Sequence, residues 1–380
     1  MQIELPISKS IANRWLILQA IHGDEPAGSP TALASWGALM PVSADLPEDV
    51  QILRNALTTL KTSKTLSTSH IDVGNCGTAM RFLTAYCAQL EGQTTLLDGV
   101  ERMHHRPIGQ LVDALREIGA DIEYLGEEGF PPLRIKGCIL DKHRIVTINN
   151  PQSTQFVSAL LLIGANVQTD STSPYITLTR EMIKNKEQGT KNKDKLLTTN
   201  QTQVTNLGSL LLAPYSEIER DWSSAAFWYE YVALHGGEIT LPGLSRDSLQ
   251  GDKVVADVFA HLGVLTTHTA EGVVISSSPL HPTPFTLHHD FSACPDLYPA
   301  VALTCERLGI TLHATGVESL PLKESDRLRA VREHRTDADH RMAMALLIAG
   351  YEVDNTACIS KSYPQFMEHF RQLQEQKLSN

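Results

Sequence analysis

This 380-residue sequence has little of what contact with a polyanion or a membrane would require. Lysine and arginine number 32 against 43 aspartate and glutamate, a net charge of −11 with histidine neutral, so no long basic face is available to nucleic acid. The longest apolar runs, such as 159–165, fall far short of the roughly 20 residues that span a membrane. Arg14 interrupts the first apolar segment, which removes the layout of a signal peptide. We expect a cytoplasmic protein with neither nucleic acid nor membrane as a partner.

The sequence also lacks paired cysteines and the glycine motifs of nucleotide sites. Its six cysteines, at 76, 87, 138, 294, 305 and 358, show no C-x-x-C spacing, which favours reduced thiols over a disulfide framework or a zinc site. The neighbouring histidines at 104–105 and 288–289 have no further ligand at a suitable spacing. Neither G-x-G-x-x-G nor a Walker P-loop occurs. We expect no metal and no cofactor.

A repeated pattern indicates the fold class. Hydrophobic residues make up 42% of a chain that is too long for one ordinary core, so two domains are expected. An amphipathic helix, a glycine and a short alternating strand recur at 111–125, 229–241, 256–268, 302–314 and 344–355. The glycine suits a left-handed C-cap, and the change of apolar period from 3.6 to 2 marks the strand. The pattern predicts an α/β protein of repeated units, with the polar, lysine-rich segment 183–206 as a mobile surface loop.

The stretch that says most about function is Lys323-Glu324-Ser325-Asp326-Arg327. On a helix, Lys323 and Arg327 would lie four residues apart on one face. Two cations so placed repel each other unless an anion lies between them. In a chain of net negative charge the stretch predicts a bound phosphate or carboxylate, and the alternative is a solvated helix start.

Other stretches place cations or hydroxyls where an apolar helix begins. The N–H groups and positive dipole of a helix N-terminus favour anions. The residues at these starts are Lys9, Ser10 and Arg14; Asn75, Gly77, Thr78 and Arg81; Arg106, beside a Pro107 suited to a first helical position; Ser153, Thr154 and Gln155; His340 and Arg341; and Lys361. Each start alone is typical of ordinary capping, but six in one acidic chain predict a site for polyanionic small molecules.

These stretches together resemble the 5-enolpyruvylshikimate-3-phosphate (EPSP) synthase family. The resemblance rests on LPISKSIANR, GNCGTAMR, RMHHRPIGQLVDALREIGA, QSTQF, SPYITLT, SRDSLQGD, CPDLYPAVA, LKESDR, DHRMAMALLIAG and SKSYPQF, which follow one another along nearly the whole chain. The related UDP-N-acetylglucosamine enolpyruvyl transferases normally carry a cysteine in the loop that reads Arg102-Met103-His104-His105-Arg106 here. The lack of a cysteine in this loop disfavours that family.

The resemblance implies two similar domains, each an inside-out α/β barrel built from repeated βαβαββ units. The first domain would comprise residues 10–219 and the second residues 1–9 and 220–380, with the active site in the cleft between them. The resemblance further implies a transferase of the shikimate pathway, which leads to chorismate and the aromatic amino acids. Such an enzyme is a target of glyphosate, and we expect it to be a monomer that needs no cofactor.

The implied reaction moves the enolpyruvyl group of phosphoenolpyruvate to the 5-hydroxyl of shikimate 3-phosphate and releases phosphate. Each substrate carries a phosphate and a carboxylate, and binding both requires several desolvated cations. By resemblance, shikimate 3-phosphate is bound by Lys9, Ser10, Arg14, Ser153, Thr154, Thr172 (or its neighbour Ser173), Asp296, Ser319 and Lys323. By the same resemblance, phosphoenolpyruvate is bound by Lys9, Asn75, Gly77, Arg106, Gln155, Arg327, Arg341 and Lys361.

The resemblance also names the catalytic residues, which are Asp296, Glu324 and Lys9. Two proton movements at two centres need two groups of opposite starting state. We assign Asp296 as the base for the hydroxyl and Glu324 as the acid for the methylene carbon, and Lys9 would stabilise developing charge. The exchanged assignment stays open, since the cations around Glu324 favour its ionised form.

The chain departs from the family pattern in length and at Phe82. The family usually has a strand-helix-strand between the LKESDR and DHRMAMA helices, where only 328–339 intervene here, a loss of roughly thirty residues or about one supersecondary unit. The N-terminus before Lys9 is also short. Both losses fall on the second domain, so a degenerate anion-binding relative without turnover is the alternative function. Phe82 replaces the usual proline after GTAMR, and we expect it to weaken inhibition by glyphosate.

Overall fold

The structure, a computed structural model, describes residues 1–22, 46–62, 68–196, 218–278 and 285–379, and the side chains of all of these except 187–196 and 378–379. It divides into two compact units. Unit A comprises Ser10–Ser43 and Asp49–Ile218, and unit B comprises Met1–Lys9, Ala44–Glu48 and Glu219–Asn380.

The described part of unit A contains both helices and short strands. Its helices are α1 (Lys9–His22), α2 (Glu48–Thr62), α3 (Gly77–Ala88), α4 (Gly109–Glu117), α5 (Thr154–Leu162) and α6 (Pro174–Leu196), of which α1 and α2 each begin at a residue of unit B. Its strands are β1 (Thr68–Asp72), β2 (Thr94–Asp98), β3 (Asp121–Tyr124), β4 (Leu133–Lys136), β5 (Ile145–Thr147) and β6 (Asn166–Gln168).

Unit A contains a complete βαβαββ repeat. Strands β1 and β2 pair in parallel, β2 and β3 each pair antiparallel with β4, and the sheet order is β1-β2-β4-β3. Along β1 and β2 the side chains alternate between exposed and buried positions, which is the pattern of a sheet with one face against a core. Helix α3, which connects the two parallel strands, is buried at all but one of its positions.

Unit B has the remaining elements. Its helices are α7 (Trp222–His235), α8 (Val255–His261), α9 (Tyr298–Leu308), α10 (Arg327–Glu333), α11 (His340–Ile348) and α12 (Phe366–Ser379). Its strands are β7 (Glu238–Pro242), β8 (Val264–His268), β9 (Gly272–Ser277), β10 (Thr286–Asp290) and β11 (Thr311–Thr315).

The same topology recurs in unit B with the N-terminus as its first strand. Gln2 forms a parallel bridge with Thr240 of β7, and the backbone N–H of Ile3 donates to the Thr240 carbonyl over 2.9 Å. Strands β7 and β8 both pair antiparallel with β9 in the order β7-β9-β8. With α7 and α8 between the strands, this set repeats the βαβαββ order of unit A, and the predicted α/β repeat is confirmed.

A second βαβαββ repeat, in unit B, is shortened. The parallel pair β10 and β11 is followed by α10, and the chain then reaches α11 after only 334–339. Within that connection His334, Asp337 and Ala338 all have positive φ, between 45° and 56°, a conformation that costs non-glycine residues about 1 kcal/mol or more. The predicted loss of a supersecondary unit at this point is therefore matched by a tight, strained turn.

The predicted glycine caps agree with the structure, whereas one predicted strand and part of a predicted loop do not. The predicted helix-capping glycines at 119, 236, 263, 309 and 350 all have positive φ. The predicted strand within 344–355 is wrong, because α11 is followed by irregular backbone and no described strand pairs with this segment. The predicted loop at 183–206 is wrong over 183–196, which are part of α6, and its remainder lies outside the described residues. No helix that the structure describes is long and apolar enough to cross a membrane.

Candidate active site

A buried ionic network in unit B is centred on Arg327. This side chain is 1% exposed and contacts three carboxylates. Its Nη1 donates to Asp296 Oδ1 over 2.7 Å, its Nε donates to Asp339 Oδ2 over 2.8 Å, and its Nη2 donates to Glu324 Oε2 over 3.1 Å. Because Asp296 and Glu324 bind the same guanidinium, the two predicted proton-transfer groups are held close together.

Three further cations contact the same two carboxylates. Arg341 Nη2 donates to Asp296 Oδ2 over 2.9 Å, and Lys323 Nζ lies 3.4 Å from Asp296 Oδ1. Lys361 Nζ donates to Glu324 Oε1 over 3.0 Å. A cluster of this density in a largely buried place is costly unless its charges compensate one another, and here Lys323, Arg327, Arg341 and Lys361 each have a carboxylate partner.

The elements that carry these side chains differ from those the sequence predicted. Lys323 and Arg327 do not share a helical face, because Asp326 caps α10 by accepting the N–H of Arg329. Arg327 is therefore the first residue of α10, and Lys323 follows a short 3₁₀ helix, Leu320–Leu322. The anion that separates the two cations is Asp296 of the protein itself.

Asp339 explains how α11 joins the network. It caps this helix by accepting the N–H of Arg341 over 2.9 Å and is fully buried. The same carboxylate accepts from Arg327 and from the Ser325 hydroxyl. One side chain thus fixes the start of α11 and the guanidinium of α10 together, and it places Arg341 beside Asp296.

Burial and neighbouring charges shift the pKa values of the groups in the network. Desolvation on its own raises the pKa of the Asp296 carboxyl, but Arg341, Lys323 and Arg327 outweigh it and hold that pKa well below its usual range. Burial lowers the pKa of the Lys323 ammonium despite the opposing effect of Asp296. Asp296 is consequently ionised at neutral pH and can accept a proton.

Lys9 and His340 complete the group in unit B. His340 is 1% exposed, and burial, followed by the charges of Lys9, Arg341 and Lys361, holds the pKa of its imidazole well below the usual range. Lys9 belongs to the same unit, and its charge contributes to the lowered pKa of His340. Ser319, predicted to bind shikimate 3-phosphate, begins the 3₁₀ helix before Lys323 and makes no capping hydrogen bond there.

In unit A, two arginines converge on Gly77. Arg81 Nη1 donates to the Gly77 carbonyl over 3.0 Å, and Arg106 Nη1 donates to the Asn75 carbonyl over 3.4 Å. A Cβ on Gly77 would lie 2.4 Å from Arg81 Nη1 and 2.6 Å from Arg106 Nη2. A side chain at position 77 would therefore have to displace the two buried guanidinium groups.

The start of α5 lies beside the same turn. Ser153 caps α5 by accepting the N–H of Gln155, and Thr154 is the first helical residue. Gln155 Nε2 donates to the Thr78 hydroxyl over 2.8 Å, which ties α5 to α3. The Arg106 stretch behaves differently from the prediction, because Pro107 does not open a helix and α4 begins at Gly109.

Arg14 is the most enclosed of the predicted ligands in unit A. It is 2% exposed, and its Nε donates to the Thr179 hydroxyl over 2.7 Å. Its Nη2 donates to the Ser158 hydroxyl over 3.1 Å and to the Tyr175 carbonyl over 3.2 Å. Of the two residues weighed for the nearby contact, Thr172 is exposed, whereas Ser173 is buried and accepts the N–H of Tyr175.

The structure thus gathers the predicted residues into groups within each unit. Unit B holds Lys9, Asp296, Ser319, Lys323, Glu324, Arg327, Arg341 and Lys361, and unit A holds Ser10, Arg14, Asn75, Gly77, Arg106, Ser153, Thr154, Gln155 and Thr172. Sequence reasoning missed Asp339 and the two hydroxyls on Arg14. The cap at Asp339 is readable from its place before α11, but its ion pair with Arg327 is not.

A sequence model of the family described as EPSP synthase (3-phosphoshikimate 1-carboxyvinyltransferase) matches residues 1–334 and 331–370. The chain belongs to the EPSP synthase family. The match changes segment at 331–334, which is where α10 gives way to the strained turn before α11. The two matched segments therefore meet within the stretch where the motif spacing predicted the shortening.

Curated EPSP synthase relatives match over nearly the whole chain. A 3-phosphoshikimate 1-carboxyvinyltransferase of Bacteroides fragilis is 34% identical over 415 residues, covering 97% of this chain and 94% of the relative. One of Colwellia psychrerythraea is 29% identical over 434 residues, covering 98% and 96%. A solved EPSP synthase from Acinetobacter baumannii superimposes with a TM-score of 0.64 at 18% identity, covering 98% of this chain and 95% of that one. The structural similarity confirms the fold.

Proposed function

We propose that this chain transfers the enolpyruvyl group of phosphoenolpyruvate to the 5-hydroxyl of shikimate 3-phosphate and releases phosphate. The observation that carries the proposal is the network around Arg327, in which Asp296 and Glu324 share one buried guanidinium and are surrounded by Lys323, Arg341 and other cations. Full-length relatives with the name of this activity support it. We further propose a cytoplasmic monomer; the scattered cysteines without C-x-x-C spacing support reduced thiols in the cytosol.

The first step would be an addition. The substrate hydroxyl oxygen forms a bond to C2 of phosphoenolpyruvate and gives its proton to Asp296, which is ionised; displacement of its cationic partners by the substrate anions would raise the basicity of this carboxylate. The electron pair of the C2–C3 double bond takes a proton from Glu324, which gives a tetrahedral intermediate. Lys9, with its electrostatic influence on this region, would stabilise the charge that develops.

The second step would reverse the proton transfer at C3. Loss of a C3 proton restores the double bond as the bond between C2 and the phosphate oxygen breaks, and phosphate leaves with that electron pair. Arg327, Arg341 and Lys361 are the proposed ligands of the departing phosphate and of the carboxylate. Substrate anions would then take over hydrogen bonds that carboxylates of the protein now accept.

Phosphate release in the presence of both substrates tests the proposal. Release that requires shikimate 3-phosphate and phosphoenolpyruvate together is the expected result. Binding of both without release would indicate a degenerate relative, and release only with UDP-N-acetylglucosamine would indicate the related transferase. Arg341→Gln should reduce kcat/KM by about ten- to a hundredfold, since charge-assisted contacts contribute roughly 1.5–3 kcal/mol. The control is Arg329→Gln, because Arg329 is exposed on α10 and its described ion pair is with the exposed Glu333.

Single-turnover measurements over a range of pH separate the two carboxylates. Asp296→Asn should suppress proton removal from the hydroxyl, and Glu324→Gln should suppress incorporation of solvent deuterium at C3. Equal loss of both proton steps in each variant would contradict the division of roles.

A further inference from the structure

We propose that Phe82 is a positioning residue that orients Arg14 toward the carboxylate of shikimate 3-phosphate through a cation–π contact. The inference rests on the proposed function for the identity of the ligand. It concerns a residue that the motif comparison marks as unusual, because the EPSP synthase pattern usually continues with proline at this place.

The geometry is that of a buried cation on an aromatic face. The Arg14 Cζ lies 5.5 Å from the centroid of the Phe82 ring, within the roughly 6 Å at which such contacts are attractive. Phe82 is 1% exposed and Arg14 is 2% exposed, so water screens the attraction little. Phe82 projects from α3 and Arg14 from α1, and the contact therefore joins two helices of unit A.

Arg14 is a buried cation whose described hydrogen-bond acceptors carry no charge. Its described hydrogen-bond acceptors are all neutral oxygens, namely those of Ser10, Ser158, Tyr175 and Thr179. Burial lowers the pKa of its guanidinium to about 10, with Tyr175 as the opposing influence. Among the described residues no carboxylate forms an ion pair with Arg14, so the ring contributes to holding its charge in the absence of substrate.

The same hydrogen bonds define what Arg14 can offer a ligand. A guanidinium has five N–H groups, and four of those of Arg14 donate to described residues, which leaves one N–H, on Nη1, without an acceptor among them and open to the substrate. A single remaining donor makes the orientation of the guanidinium plane decisive, because no second N–H can compensate for a rotation. The Phe82 ring restrains that plane, and a proline at position 82 would have no aromatic face with which to do so.

The test is the affinity for shikimate 3-phosphate in the absence of phosphoenolpyruvate, measured by calorimetry. Phe82→Leu keeps apolar bulk and removes the ring, and it should weaken binding about three- to thirtyfold, the range of buried cation–π contacts. In turnover the KM for shikimate 3-phosphate should rise by a similar factor with little change in kcat. In an Arg14→Gln background, Phe82→Leu should have no further effect on binding, because the cation that it acts through is gone.

A matched control exists in the same unit. The Phe156 ring lies 5.5 Å from the Arg81 Cζ, so Phe156→Leu makes the same chemical change beside a different arginine. It should leave the affinity for shikimate 3-phosphate within about twofold of the parent. Equal weakening by Phe156→Leu and Phe82→Leu would overturn the inference, since general loosening of unit A would then explain both.

A second readout is independent of the substrate. In protein labelled with ¹⁵N-arginine, the Nε–H signal that disappears in Arg14→Lys belongs to Arg14. Its exchange with solvent should accelerate at least threefold in Phe82→Leu and stay unchanged in Phe156→Leu. Unchanged exchange in Phe82→Leu would overturn the positioning role. If the parent protein failed to bind shikimate 3-phosphate, the proposed function would fall, and exchange alone would decide whether Phe82 orients Arg14.

Discussion

Replacing Glu230 by glutamine is expected to stabilise unit B increasingly as the pH rises above 5. Glu230 lies in the middle of α7 and is fully buried. Neither carboxyl oxygen has a hydrogen-bond partner among the described residues. Burial alone raises the pKa of this carboxyl well above its ordinary value of 4.5, because a charge without a partner is strongly disfavoured in an apolar core.

The sign of the effect follows from proton linkage. The folded protein keeps the Glu230 proton at pH values where the unfolded chain has released it, so stability falls as pH rises from 4.5 toward the folded pKa. Each pH unit in that interval costs about 1.4 kcal/mol. Glutamine has no proton to lose, so between pH 5 and pH 7 the variant should gain at most about 2.7 kcal/mol relative to the parent.

Denaturant unfolding at pH 5, 6 and 7 measures this difference, with each transition of the two-unit protein fitted separately. Glu271→Gln is the control, because Glu271 is exposed in the turn between β8 and β9 and should show no such trend. A difference between Glu230→Gln and the parent that stayed constant with pH would refute the reasoning. It would show that Glu230 is charged in the folded protein or has a partner there.

Three other substitutions test particular contacts. Ala338→Gly should stabilise the protein by about 1 kcal/mol, since Ala338 has a φ of 56° that glycine adopts without strain, and a lower melting temperature would contradict this. Gly77→Ala should raise the KM for phosphoenolpyruvate about tenfold or more, because its Cβ would displace Arg81 and the proposed ligand Arg106; an unchanged KM would mean that Arg106 does not bind this substrate. Phe82→Pro should strengthen inhibition by glyphosate, and an unchanged inhibition constant would disprove the predicted effect of this position.

Local patterns explain why much of the secondary structure was predictable. The change of apolar period after Gly119 and after Gly309 depends on residues within a few positions of one another, and both glycines have the expected positive φ. The strand expected within 344–355 was wrong because a strand also needs a neighbour. No described strand pairs with that segment, and no local pattern in the segment could reveal this.

The candidate site was predictable as a set of residues but not as an arrangement. Sequence alone determined the family, the repeated α/β units, and which lysines and arginines gather near helix starts, because motif residues and caps are local. Only the tertiary structure decided that Asp296 separates Lys323 from Arg327 and that Ser158 and Thr179 occupy donors of Arg14. These contacts join residues 27 to 165 positions apart, and burial makes each depend on the packing of whole helices.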